Sequence, residues 1–189
     1  MWQRQEAAGT AVIYETRTGT CRWYAERIAD RREAELFEVR QAKLSVIKGF
    51  QTLVWILPVY DGHLEGLDSL TSVYPKLMKV TRSYADDLGG AGGEKRIALL
   101  AVGLADEKAA SASGALDLPE VLEDVPLFYA RGRLIRENLD WKGQMRLEIL
   151  EKAPENTVPA WAADIIHKDL DLTEEAYIDP ALDLIDGRF

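Results

Sequence analysis

Three stretches of this 189-residue chain are apolar at almost every position: AVIY (11–14), TLVWIL (52–57) and RIALLAV (96–102). A strand with one wet face alternates apolar and polar residues, whereas a run without alternation needs cover on both faces. Such runs predict a parallel sheet enclosed between helices. PLFYA (126–130) fits the same description. ELFEV (35–39) alternates more and reads as an edge strand. Between these strands lie helix patterns. Residues 20–32 put Tyr24, Ala25 and Ile28 on one face, and residues 64–84 repeat Leu64, Leu67, Leu70, Val73, Leu77 and Val80 at helical spacing. Pro75 interrupts the second pattern and predicts a kink or a division. GGAGG (89–93) reads as a flexible turn into the fourth strand. This alternation predicts an α/β doubly wound sheet.

Beyond residue 131 the pattern is less regular. KGQMRLEILEKA and WAADIIHKDL read as helices separated by PENTVPAW. TEEAYIDPALDLIDG reads as a closing helix with Pro180 near its start. The expected organisation is one domain over 1–189, with a core of about 10–135 and a helical extension of about 136–189 packed on the sheet.

The bulk properties exclude several classes. A net charge of −9 and a pI near 4.8 disfavour nonspecific binding to nucleic acid and to anionic membranes. One cysteine cannot form an internal disulfide. MWQRQEAAG has no apolar signal core, and the longest apolar stretch, TLVWILPVY, is too short for an integral membrane segment. A cytoplasmic location is expected. His63 and His167 stand far apart without a cysteine cluster, so no metal site is expected.

Open α/β sheets bind ligands beyond the carboxyl ends of their strands. That rule selects ETRTGTC, PVYDGH and GLADEK. In the first, a strand runs into a helix N-terminus, whose free N–H groups and dipole favour an anion. Gly19 permits a tight turn, and Thr16, Thr18 and Thr20 bring hydroxyls. Two readings stand: a lysine-free site for a phosphate monoester, or an ordinary capped helix start. The loop is neither GxGxxG nor GxxxxGK[ST]. GGAGG precedes a strand instead of following one, so it does not replace such a loop. In the second loop, Tyr60 offers a face for a planar ligand or simply covers the sheet end. His63 reads as a helix-start residue.

Taken together, VIYETRTGTCRWYAERI, LPVYDGH, AVGLADE and LFYARGRLIRENLDWKGQMRLEIL resemble the flavodoxin-like superfamily. In particular they resemble the flavodoxin-domain branch that includes bacterial menaquinone-dependent protoporphyrinogen oxidase. Tyr14, Thr16, Gly19, Ala25 and Ile28 carry the first motif. The resemblance runs from about residue 10 to 152. It implies a flavodoxin-like sheet of five parallel strands in the order 2-1-3-4-5, with helices on both faces. It also implies noncovalent FMN. The phosphate would lie at Thr16, Arg17, Thr18, Gly19, Thr20 and Cys21. The ring would lie between Pro58, Val59, Tyr60, Asp61, Gly62 and His63 on one side and Val102, Gly103, Leu104 and Ala105 on the other. The implied activity is that of an oxidoreductase or an electron-transfer protein. Its implied partner is a redox protein, a quinone or a small-molecule substrate, and a homodimer is allowed. No catalytic residue is matched.

The chain departs from the family pattern at several points. Cys21 stands where threonine is usual and offers a weaker donor, which Arg17 would offset by turning to the phosphate. An alternative role for Cys21, near a helix N-terminus, is an acidified redox thiol. No aromatic stands beside Gly103. AASASG (109–114) reads as a mobile lid or as a plain surface insertion. Arg131, Arg133, Arg136, Lys142 and Arg146 read as a solvated helix or as a surface for an acidic partner or carboxylated ligand. A flavodoxin fold that has lost FMN and serves as a binding module is the alternative to a redox protein.

Overall fold

A computed structural model describes residues 9–87, 95–154, 157–158, 160–163 and 167–189. The GGAGG turn lies outside them. Strands β1 (Thr10–Tyr14), β2 (Glu35–Glu38), β3 (Thr52–Tyr60), β5 (Arg96–Gly103) and β6 (Leu127–Arg131) form the main sheet, with the two-residue β4 (His63–Leu64) folded back on β3. The order is β2-β1-β3-β5-β6, and each of these neighbours is parallel. Numbered without β4, this is the expected flavodoxin-like 2-1-3-4-5. In register, Val12 lies beside Leu36 and Val54, and Val102 beside Ala130.

Alternate residues of the strands feed two cores. Ile13, Trp55 and Leu99 pack with Leu70, Val73 and Leu77 of α3 (Leu67–Asp87) and with Leu122. Val12, Val54 and Leu100 pack with Tyr24, Ala25 and Ile28 of α1 (Thr20–Arg32) and with Ala181, Leu182 and Ile185 of α7 (Asp179–Ile185). Helices therefore cover both faces, as the unbroken apolar runs demand. The closing helix α7, with Pro180 in its first turn, lies against the sheet beside α1. Arg32 holds it there through Asp186, with both guanidinium–carboxylate bonds at 2.8 Å.

Several elements differ from expectation. His63 is not a helix-start residue. Asp61 (φ 51°) and Gly62 (φ 78°) make a two-residue hairpin turn, and His63 and Leu64 return as β4. Both φ values are positive, as a type I′ turn requires, and Asp-Gly is a residue pair that accepts this conformation readily. Helix α3 consequently starts at Leu67, and it continues through Pro75. AASASG is not a loop. Its first four residues finish α4 (Glu107–Ala112), whose N-terminus is capped by Asp106 accepting from the Ala109 N–H at 2.8 Å. Helices α2 (Leu44–Ile47), α5 (Trp141–Glu151) and α6 (Ala160–Ala163) are the other α-helices among the described residues. Within WAADIIHKDL only the start is helical among the described residues. Leu170–Asp171 forms β8, because its backbone finds antiparallel partners in β7 (Arg133–Leu134).

Tyr24 ties the later chain to the sheet. Its ring is fully buried, and its hydroxyl donates to the Arg131 carbonyl at 2.6 Å and accepts from the Glu174 N–H at 3.3 Å. Removing the hydroxyl leaves both backbone groups without that partner. Tyr24→Phe is expected to lower the unfolding free energy in urea by about 1–3 kcal/mol. An unchanged midpoint would show that the contact carries nothing.

Candidate functional site

The carboxyl ends of β1, β3, β5 and β6 meet around a cavity of about 210 Å³. Backbone bonds lace its rim together: Glu15 N–H to Ile56 O at 3.1 Å, Glu65 N–H to Pro58 O at 3.0 Å, and Gly132 N–H to Gly103 O at 2.8 Å. All the residues expected at the site line this cavity except Gly19, Gly62, His63 and Ala105. Gly19 caps α1 in the left-handed region (φ 81°) without a side-chain bond. Gly62 shapes the hairpin turn, and exposed His63 borders a separate cavity with Asp68 and Asp117. Ala105 is buried, and its carbonyl accepts from the Tyr129 hydroxyl at 2.8 Å. A side chain at Gly103 would collide with that hydroxyl, so the bare position permits its close approach to the end of β5.

The first loop forms a cradle of donors at the start of α1. The N–H groups of the first turn, Thr20 to Arg22, have no partner inside the helix; the first intrahelical bond is Trp23 N–H to Gly19 O at 3.0 Å. The Thr18 and Thr20 hydroxyl oxygens lie 3.1 Å apart. Arg17 does not turn into the cradle. It forms two 2.6 Å bonds to Glu65 and lays its guanidinium over the Tyr60 ring, 4.4 Å from the centroid. Arg146 covers the same ring at 4.7 Å and pairs with Asp61 at 2.8 Å.

Cys21 is not an acidified thiol. It is 1% exposed within the α1 core cluster, and burial, the largest cause, pushes its thiol pKa well up, with Glu15 adding to the rise. Reactive cysteines are partly exposed and electropositive; this one is a packing residue whose backbone edges the cavity.

The net charge belongs to the whole surface, whereas the cavity is lined by Arg17, Arg133 and Arg146 with Asp61. Sequence reasoning left Gly132, Arg133 and the inner face of α5 out of the cofactor set. Gly143, Arg146, Leu147 and Leu150 line the cavity from α5. Their spacing of i, i+3, i+4 and i+7 is the signal that marks them as one helix face. Trp141, Met145 and Ile149 are exposed on that helix. Arg131, once grouped with a solvated helix, donates to the Leu104 carbonyl at 2.8 Å and steadies the third loop.

No protein-family profile and no curated protein matches this sequence. Solved structures do resemble it. One is a mutant flavodoxin of Fusobacterium nucleatum bound to flavin mononucleotide, at 19% identity, 74% of this chain, 87% of that chain and a TM-score of 0.40. Another is the Trp repressor binding protein of Bacillus subtilis, at 18% identity, 65% of this chain, 82% of that chain and a TM-score of 0.45. A third is an archaeal flavodoxin, at 12% identity, 77% of this chain, 98% of that chain and a TM-score of 0.37. The strand order defines the fold independently of these likenesses. Nothing in them points to protoporphyrinogen oxidase.

The Arg17–Glu65 pair gives the rim a pH dependence. Its side-chain hydrogen bond, and then its charge, hold the Glu65 carboxyl below its usual value of 4.5 against partial desolvation. A depressed folded pKa contributes stability above the unfolded value, and the contribution is lost as pH falls through the folded one. Both side chains are about a third exposed, so the pair is worth at most about 1 kcal/mol. The stability difference between wild type and Glu65→Gln is expected at pH 7 and to shrink below pH 4.5. A difference independent of pH in urea melts would contradict this assignment.

Proposed function

We propose that this chain is a flavodoxin-like flavoprotein that holds FMN noncovalently, as an oxidoreductase or an electron-transfer protein. One observation carries the reading. A hydroxyl-rich helix N-terminus, a strand end bearing Tyr60 and a glycine-containing strand end border a single cavity at the carboxyl edge of the sheet. The donor set suits a phosphate monoester: Thr16, Thr18 and Thr20 hydroxyls and the open N–H groups of α1, which the left-handed Gly19 leads into. Pro58, Val59, Tyr60, Val102, Gly103 and Leu104 supply mostly apolar walls for a planar ring. Bound flavin would supply the redox chemistry, and the protein its orientation and electrostatic setting. A ring stacking on Tyr60 displaces Arg17 or Arg146 from that face, which leaves the guanidinium beside the ligand. A redox protein, a quinone or a small molecule remains the proposed exchange partner.

A second reading is a binding module without FMN. It is favoured by the cavity's volume, about 210 Å³, below the ~300 Å³ at which ligand pockets commonly begin, and by the two arginines on Tyr60.

The visible spectrum of the purified protein, followed by titration of apoprotein with FMN, separates the two. The redox reading expects bound flavin, or saturable quenching of FMN fluorescence at one flavin per chain. No bound flavin and no quenching would remove it and leave the binding module.

A further inference from the structure

We propose that Arg133 is the cationic phosphate-binding residue of this cavity, and that it makes the site select a phosphorylated ligand over the same molecule without phosphate. The proposal rests on the reading of the cavity as a phosphate-ester site. It adds a residue from β7, just beyond the edge strand β6, to a cradle that the first loop otherwise builds without a formal charge.

Arg133 lies in β7, directly after the turn at Gly132, and lines the cavity with Thr16, Thr18 and Thr20. Its Nη2 lies 3.9 Å from where a Cβ on Gly19 would stand, so the guanidinium reaches the turn that opens α1. Gly132 packs closely beside it: a Cβ there would sit 3.3 Å from Val102 and 3.6 Å from the Thr20 methyl. A guanidinium and a helix N-terminus thus meet at one end of the cavity.

The other arginines of this region each have at least one acceptor, although Arg131 Nε and Arg136 Nε and Nη2 are buried without one. Arg17 is bound to Glu65, Arg146 to Asp61, Arg136 to Glu151, and Arg131 to the Leu104 carbonyl. The Arg133 side chain has neither a hydrogen bond nor an ion pair among the described residues, and its Nε is buried. Asp171 faces it across the β7–β8 pair, but no hydrogen bond joins the two: Asp171 Oδ1 accepts from the Thr173 N–H at 3.0 Å and from its hydroxyl at 2.7 Å. These two bonds, helped by the Arg133 charge, hold the Asp171 carboxyl below its usual range. A buried guanidinium nitrogen without an acceptor is costly to leave unmade. An anion at the mouth of α1 would stand beside the Nη2 end of this guanidinium. The planar fork of arginine suits phosphate oxygens, and the helix N–H groups and threonine hydroxyls complete the ring of donors.

The experiment compares wild type, Arg133→Gln and Arg133→Lys with three probes: inorganic phosphate, FMN and riboflavin. Inorganic phosphate is followed by the amide ¹⁵N–¹H shifts of Gly19 to Arg22, without any flavin. Wild type is expected to respond saturably. Arg133→Gln is expected to bind phosphate and FMN about tenfold or more weakly, the loss of one charge-assisted contact. Arg133→Lys is expected to recover part of the loss. Riboflavin affinity is expected to be equal in all three, which a merely structural role of Arg133 would not produce. Two results overturn the proposal: an equal loss for FMN and riboflavin, or phosphate binding that is absent in wild type or unchanged in Arg133→Gln. An Arg133-dependent phosphate response without FMN binding sustains the proposal and removes the flavin reading. FMN binding that ignores Arg133 does the reverse.

Discussion

Burial of β3 on both faces is the constraint from which the rest follows. Leu53 to Leu57 are fully buried, and the strand lies between β1 and β5 with its backbone bonded on both edges. Neither face of the central sheet is open to a ligand, since α3 covers one and α1 with α7 the other. What remains is the edge where strands become loops and backbone donors are unpaired. There Pro58 to Asp61, Val102 to Leu104 and Thr16 to Cys21 stand side by side because their strands do. The chemistry of the site therefore depends on strand order before it depends on any one side chain.

Electrostatics at this edge run against the charge of the chain. The net −9 is spread over the surface, while arginines from the first loop, β7 and α5 converge on the cavity. Two of them are neutralised by Glu65 and Asp61 and lie over one tyrosine ring. This arrangement gives Tyr60 a preformed aromatic face, with guanidinium groups that can be exchanged for a ligand. Arg133 feels Asp171 only through its charge and makes no hydrogen bond or close ion pair to a carboxylate among the described residues, which makes it the group of the three that an incoming anion completes.

Much of the scaffold was legible because long apolar runs admit few arrangements. AVIY, TLVWIL and RIALLAV became the buried strands, and the helix over 20–32 has the expected bounds. The loops that line the cavity could be named from their places after strands. Smaller features were not legible in the same way. The Asp61–Gly62 hairpin carried a readable dipeptide, but its consequence, His63 in a strand, depends on pairing with Tyr60. Cys21 sits at a helix start in sequence, yet its thiol points into the core, and only packing decides that. Arg17 turned to Glu65, 48 positions away, a choice that local sequence does not specify. Arg133 could not be separated from Arg131 and Arg136 by spacing alone. What distinguishes it is the absence of an acceptor in three dimensions.

The central claim is that the three loops at the carboxyl edge form one ligand site for a phosphorylated planar molecule. A crystal structure of the protein grown with FMN tests it most directly. The account predicts density for the phosphate against Thr16, Thr18 and the first turn of α1, and for the ring between Tyr60 and Val102–Leu104. Flavin density at another surface, or a cavity still closed by Arg17 and Arg146 on Tyr60 at saturating FMN, would contradict it.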